Sequence, residues 1–142
     1  MNEQVTVVIL AGGQSKRMQV KNKATVLLNG RPLIAHVINR MKPQAKDIVI
    51  NTHQNQNDFE QFNLPLIDDA LSSQEGPLLG MLTSLQKINA EWIQFVPCDT
   101  PNLPDHLISN LMKEAKAQKN LVAVAETEDG FQSTCLLCHS SN

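Results

Sequence analysis

The chain has 142 residues, 42% of them apolar and 18% charged, and a formal net charge of −2. That length suits one compact domain that buries roughly 70% of its unfolded surface. With 12 basic against 14 acidic residues, the charge balance excludes a sequence-independent grip on nucleic acid, which needs a Lys/Arg excess. A small phosphate ligand needs only a few local cations.

Strand-like and helix-like runs alternate along the chain. That is the pattern of an α/β fold: a doubly wound, mainly parallel sheet with helices on both faces. Val5 to Leu10 is the first strand, apolar nearly throughout and so buried on both sides. It is too short to span a membrane, and no cationic segment precedes it, so the expected location is the cytoplasm. The strand ends at Ala11-Gly12-Gly13. Pro32 then opens a helix with Leu33, Ile34, Val37, Ile38 and Met41 at helical spacing and Pro43 beyond its end. Asp47 to Asn51 is the second strand. A polar stretch from Thr52 to Asp58 leads into Phe59 and Phe62. Leu64 to Ile67 is the third strand, closed by Asp68-Asp69.

Pro77 opens a second helix carrying Leu78, Leu82, Leu85 and Ile88. Trp92 to Val96 is the fourth strand, ended by Pro97-Cys98-Asp99-Thr100-Pro101. Pro104 and Asp105 start a third helix with Leu107, Ile108, Leu111, Met112 and Ala115 on one face. Leu121 to Ala125 and Thr134 to Cys138 are the last two strands. No repeat, low-complexity tract or linker interrupts residues 1–142, which read as a single domain.

Open parallel sheets bind ligands beyond the carboxyl ends of their strands, at the point where the strand order reverses. The polar clusters all follow predicted strands. Gly12 and Gly13 let the backbone turn sharply and bring its N–H groups close to a phosphate. Ser15, Lys16, Arg17 and Lys23 supply a hydroxyl and cations, and arginine can grip phosphate oxygens with two nitrogens. Neither G-x-G-x-x-G nor the Walker pattern is present, and a plain strand-to-helix turn is the alternative. Asp99 sits in a stiff, proline-flanked turn and offers the hard oxygen that magnesium prefers; the alternative is a helix cap. Asn51 and Asp69 each end a strand. An amide and a carboxylate complement the donor and acceptor pattern of a guanine edge, though both residue types also suit turns and caps. Gly76-Pro77 and Gly80 let a helix N-terminus approach a ligand, or are merely tolerated at a helix start.

Three cysteines, Cys98, Cys135 and Cys138, are an odd number and fit reduced thiols better than a disulfide framework. Cys135-Leu136-Leu137-Cys138-His139 matches the haem-attachment pattern C-x-x-C-H. It lies in a strand-like run with too few further ligands for a zinc site, so both cysteines read as buried strand residues. His36, His53 and His106 pair with no evident nucleophile and receive no role.

Leu10-Ala11-Gly12-Gly13-Gln14-Ser15-Lys16-Arg17-Met18, followed by Lys23, resembles the signature loop of nucleotidyltransferases acting on sugar phosphates and pterin cofactors. Asn29-Gly30-Arg31-Pro32-Leu33 is similar to the next block of that family. Glu75-Gly76-Pro77-Leu78-Leu79-Gly80-Met81 and Pro97-Cys98-Asp99-Thr100-Pro101 resemble the molybdenum cofactor guanylyltransferases in particular. The resemblance implies that Leu10, Ala11, Gly12, Lys23, Asn51, Asp69 and Asp99 contact GTP, with the Gly13 backbone beside them. It also implies that Asp99 holds Mg2+ and that Arg17, Lys23 and Asp99 serve the transfer step. The implied reaction moves GMP from GTP to molybdenum-loaded molybdopterin and releases pyrophosphate. Molybdoenzymes or cofactor-delivery proteins would then be partners, with no nucleic acid and no membrane involved. A cytidylyl- or sugar-phosphate transferase and an inactive nucleotide-binding module remain alternatives.

Gln19, Asn22 and Ser133 depart from the family's usual glycine, aspartate and proline. The chain also stops at Asn142, short of the family's length. The expectation is a chain lacking the C-terminal part of the family domain, which binds nucleotide but transfers it poorly.

Overall fold

The computed structural model describes residues 2–11, 27–52, 59, 61–68, 84–85, 87–98, 100, 102–127 and 130–140. Six strands form one sheet: β1 (Asn2–Leu10), β4 (Ala45–Thr52), β5 (Leu66–Asp68), β6 (Trp92–Pro97), β7 (Val122–Thr127) and β8 (Gly130–His139). A two-stranded hairpin, β2 (Leu27–Leu28) with β3 (Arg31–Pro32), precedes helix α1 (Leu33–Met41). A second helix, α2 (Leu107–Ala117), links β6 to β7.

The order across the sheet is β5-β4-β1-β6-β8-β7. β1 pairs in parallel with β4 on one side and β6 on the other, and β4 pairs in parallel with β5. The chain moves outward from β1 through β4 to β5 and then returns to the opposite side of β1. The order therefore reverses between β1 and β6, the switch point at which doubly wound sheets open a crevice. β8 runs antiparallel to both β6 and β7, so the sheet is mainly parallel, as expected, with antiparallel pairing at that edge.

Alternation of side chains sorts the core into two layers. Val5, Val7 and Ile9 of β1 and Ala11 just beyond it face one layer with Trp92, Val96, Cys135 and Leu137. Ile34, Val37, Ile38 and Met41 of α1 and Leu107, Ile108, Leu111, Met112 and Ala115 of α2 cover it. Val8, Leu10, Ile93, Phe95 and Cys138 face the other layer, where Leu85, Ile88 and Ala90 pack. Ser84, Leu85 and Lys87 are helical there, and the Ile88 N–H donates to the Ser84 carbonyl at 2.9 Å. Both faces of the sheet thus carry helical cover.

Most predicted elements fall where expected, and the differences have local causes. α1 begins directly after Pro32, whose φ of −57° suits a helix entry. α2 begins at Leu107 rather than at Pro104. Residues 104–107 form a turn closed by the Leu107 N–H on the Pro104 carbonyl at 3.3 Å. β1 and β8 extend further than predicted because Asn2–Gln4 and the largely polar Gly130–Thr134 complete ladders that hydrophobic patterning does not mark. The third strand lies at Leu66–Asp68 rather than Leu64 to Ile67, and the fifth at Val122–Thr127 rather than Leu121 to Ala125. The helix expected from Pro77 falls mostly outside the described residues.

Two buried glutamines behave oppositely. Gln44 donates through Nε2 to the carbonyls of Arg40 and Pro104, both at 3.0 Å, and its Oε1 accepts the Ile108 N–H at 3.0 Å. His106 gives α2 no side-chain cap, so Gln44 satisfies one of the orphan amides of that helix start from outside. Gln94, fully buried in β6, donates to the Phe95 carbonyl at 3.0 Å. Its Oε1 meets no partner among the described residues. Gln44→Leu should therefore cost about 1–3 kcal/mol of stability, because a buried amide is left unpaired. Gln94→Leu removes an unpaired acceptor and should change stability by less than about 1 kcal/mol or raise it. Urea melts of the two variants check this; equal losses would contradict it.

Candidate active site

The switch point is built from strand ends held at adjacent register. Leu10 stands opposite Asn51 of β4 and Pro97 of β6. One residue further, the Ala11 N–H donates to the Asn51 carbonyl at 2.7 Å. This extends the ladder one residue past β1, to the residue that precedes Gly12 in the chain. Leu10 and Ala11 are buried. Asn51 is 1% exposed, and its Nδ2 donates at 3.3 Å to the Oγ of Ser84, which is fully buried. Thr52 is likewise buried beside it.

Of the residues predicted to make the site, the structure thus brings Leu10, Ala11 and Asn51 together. Gly12, Gly13, Arg17, Lys23, Asp69 and Asp99 lie outside the described residues, as do Ser15, Gly76, Pro77 and Gly80. Their described neighbours lie at strand ends: Asp68 closes β5, and Cys98 follows Pro97 at the end of β6. Ser84 was missed. A serine among leucines at helical spacing carries no signal until its partner, 33 residues away, is known.

The hairpin before α1 is fixed from the helix side. Asn29 and Gly30 have φ of 54° and 79°, the left-handed pair that a two-residue type I′ turn requires. His36 donates through Nε2 to the Leu28 carbonyl at 2.8 Å. With the Asn39 amide turned so that its oxygen faces Arg31, that oxygen accepts from both terminal guanidinium nitrogens, at 2.7 and 2.8 Å. The Arg31 guanidinium of the second motif is therefore bound to α1. Arg40 pairs with Asp105 across the α1–α2 seam.

Residues 7–141 match the family model described as the MobA-like NTP transferase domain. The chain belongs to the MobA-like NTP transferase family. It is a nucleotidyltransferase by that membership. A protein of Yersinia pestis (strain Pestoides F) named molybdenum cofactor guanylyltransferase is 42% identical over 141 residues, covering 99% of this chain and 71% of the relative. Two solved structures share the fold. Molybdopterin-guanine dinucleotide biosynthesis protein A from Archaeoglobus fulgidus superposes with a TM-score of 0.73 at 20% identity, over 96% of this chain and 68% of that one. A 4-diphosphocytidyl-2C-methyl-D-erythritolsynthase from Anaerococcus prevotii gives a TM-score of 0.68 at 12% identity, over 98% and 71%.

The C-x-x-C-H pattern has no part in the MobA-like site. Cys135 faces the layer of α1 and α2, whereas Cys138 faces the opposite layer. A strand sends residues three apart to opposite faces, so the two sulfurs cannot converge on one haem or metal. No cluster of three metal-ligating side chains occurs among the described residues, and no helix there is long and apolar enough to cross a membrane. Burial pushes the Cys135 thiol up to about 11 from 9.0. The unfolded chain ionises this thiol from about pH 9 while the folded chain keeps it neutral. Its contribution is therefore complete below about pH 9 and is lost as pH rises towards 11. The loss should reach about 2–3 kcal/mol and be absent from Cys135→Ala. Parallel stability-against-pH curves for parent and variant above pH 9 would contradict this.

Proposed function

We propose that this MobA-like chain transfers GMP from GTP to molybdenum-loaded molybdopterin, forming the guanine dinucleotide cofactor and releasing pyrophosphate. The observation that carries the reading is the junction of Leu10, Ala11 and Asn51 at the switch point. It occurs in a chain 42% identical to a protein named molybdenum cofactor guanylyltransferase. A phosphate oxygen of the pterin attacks the α-phosphorus of GTP. The bond from that phosphorus to the β-phosphate oxygen breaks in line, and pyrophosphate departs with the electron pair. Such transfers ask for positioning and charge neutralisation rather than covalent help, so the reading includes no covalent enzyme intermediate and no dedicated general base.

The roles follow from side-chain chemistry. The backbone of Leu10, Ala11, Gly12 and Gly13 cradles phosphate and ribose. Arg17 and Lys23 neutralise the triphosphate. Asn51 and Asp69 read the guanine edge. Asp99 directly follows Cys98 at the end of β6, the strand neighbouring Leu10. A carboxylate there is the hard oxygen donor that fits Mg2+. When bound, that ion would polarise phosphate oxygens. The whole of residues 1–142 serves as one nucleotidyltransferase domain in this reading. Its location is the cytoplasm, consistent with three cysteines that no disulfide joins. GTP and molybdopterin are the small-molecule substrates, and molybdoenzymes or cofactor-delivery proteins receive the product.

Two measurements test the proposal. Asp99→Ala should abolish magnesium-dependent pyrophosphate release, and magnesium-supported GTP binding with it, while leaving the melting temperature near the parent value. Release near the parent rate would remove Asp99 from the site. GTP should also bind more tightly than ATP or CTP. Losing a partner for the buried Asn51 amide costs about 1–3 kcal/mol, or roughly tenfold to a hundredfold in affinity. CTP is the competitor of choice because a cytidyl-named synthase shares the fold. Equal affinities by titration calorimetry would rule out base reading by Asn51 and Asp69.

A further inference from the structure

Two of the bonds on Asn51 tie it to other elements of the site. Its backbone carbonyl accepts the Ala11 N–H at 2.7 Å, and its side-chain Nδ2 donates to Ser84 Oγ at 3.3 Å. Both side chains are buried, at 1% and 0% exposure, so the bond forms where competing water is excluded. Ser84 belongs to the helical turn that packs Leu85 and Ile88 against Leu10, Val8 and Phe95. Its hydroxyl thus has a rigid footing at the edge of the crevice.

An asparagine amide is ambivalent. One side accepts and the other donates, and rotation about its last torsion meets only a broad, roughly two-fold barrier. An amide free to turn over complements the guanine edge in one orientation and the adenine edge in the other. A neighbour that engages the NH2 group removes that freedom. A serine on a helical turn can give its own proton to a carbonyl of the preceding turn, which leaves its oxygen lone pairs for the amide.

We propose that Ser84 is a positioning residue for nucleotide selectivity: by binding Nδ2, it fixes which edge of Asn51 meets the base. This rests on the proposed base-reading role of Asn51. It makes Ser84 a determinant of guanine over adenine without contact between Ser84 and the nucleotide.

The test is a double-mutant cycle on the full 142-residue chain, with Kd for GTP and for ATP measured by titration calorimetry in magnesium. Ser84→Ala should lower the GTP preference by about threefold to tenfold. ATP affinity should stay unchanged or rise, whereas a purely structural lesion would weaken both nucleotides alike. Ser84→Thr, which keeps the hydroxyl, should restore the preference. On an Asn51→Ala background, Ser84→Ala should have no further effect on the ratio. If Asn51→Ala lowers the preference and Ser84→Ala does not, the positioning role is overturned and base reading stands. If Asn51→Ala leaves the ratio intact, or the parent shows none, base reading itself is overturned and this inference with it.

Discussion

β1 is hydrogen-bonded on both edges and buried on both faces, and the rest of the sheet is registered on it. From Val5 to Leu10 no residue is more than 8% exposed, and β4 and β6 flank it in parallel. A strand so enclosed cannot slip by one residue without moving Val7 and Ile9 from one core layer to the other. Its carboxyl end is consequently a fixed point. The Ala11–Asn51 bond carries that fixity one step past the strand, to the residue before Gly12. Groups that must stand within a fraction of an ångström of a reacting phosphate benefit from such an origin, since misplacement by about 1 Å can cost on the order of a hundredfold in rate.

What could be read from the chain follows from where the physics is local. The run Val5–Leu10 and the spacing of Leu33, Ile34, Val37, Ile38 and Met41 report burial directly, and both elements lie where that pattern puts them. Asn29-Gly30 was also legible as a hairpin turn. The strands it joins, β2 and β3, have two residues each and are too short for alternation to show. The direction of β8 depends on a pairing with β6, Phe95 opposite Leu136, that no local pattern encodes. Gln94 reads as an interruption of an apolar strand, yet it is fully buried. In the site, the positions of Leu10, Ala11 and Asn51 at strand ends were legible. The contact of Asn51 with Ser84 was not, because the hydroxyls of the adjacent Thr83 and Ser84 look like helix filler among the leucines.

The α1 side of the molecule shows how polar groups maintain a shape that apolar packing alone would leave loose. His36 and Asn39 lie on successive turns of α1 and hold the Leu28 carbonyl and the Arg31 guanidinium. Arg40, next to Asn39, and Gln44, just past the end of α1, reach across to Asp105, Pro104 and Ile108 at the start of α2. Hairpin, first helix and second helix are thereby joined in series along one face of the sheet. A displacement of the hairpin is resisted by α2, which it does not touch through these bonds.

The pairing of β1 with β6 also sets an order of events during synthesis. Val5 is made well before its partner Trp92. Chains elongate at about 5–20 residues per second, so an apolar strand waits on the order of several seconds for one of its two neighbours. β4, whose Asp47 lies opposite Thr6, arrives roughly half-way through that wait. The nascent chain must therefore pass through a stage in which β1 is covered on one edge and open on the other, the edge that later closes the switch point. A chaperone that shields extended apolar segments would find its target there, in the interval before β6 emerges from the ribosome.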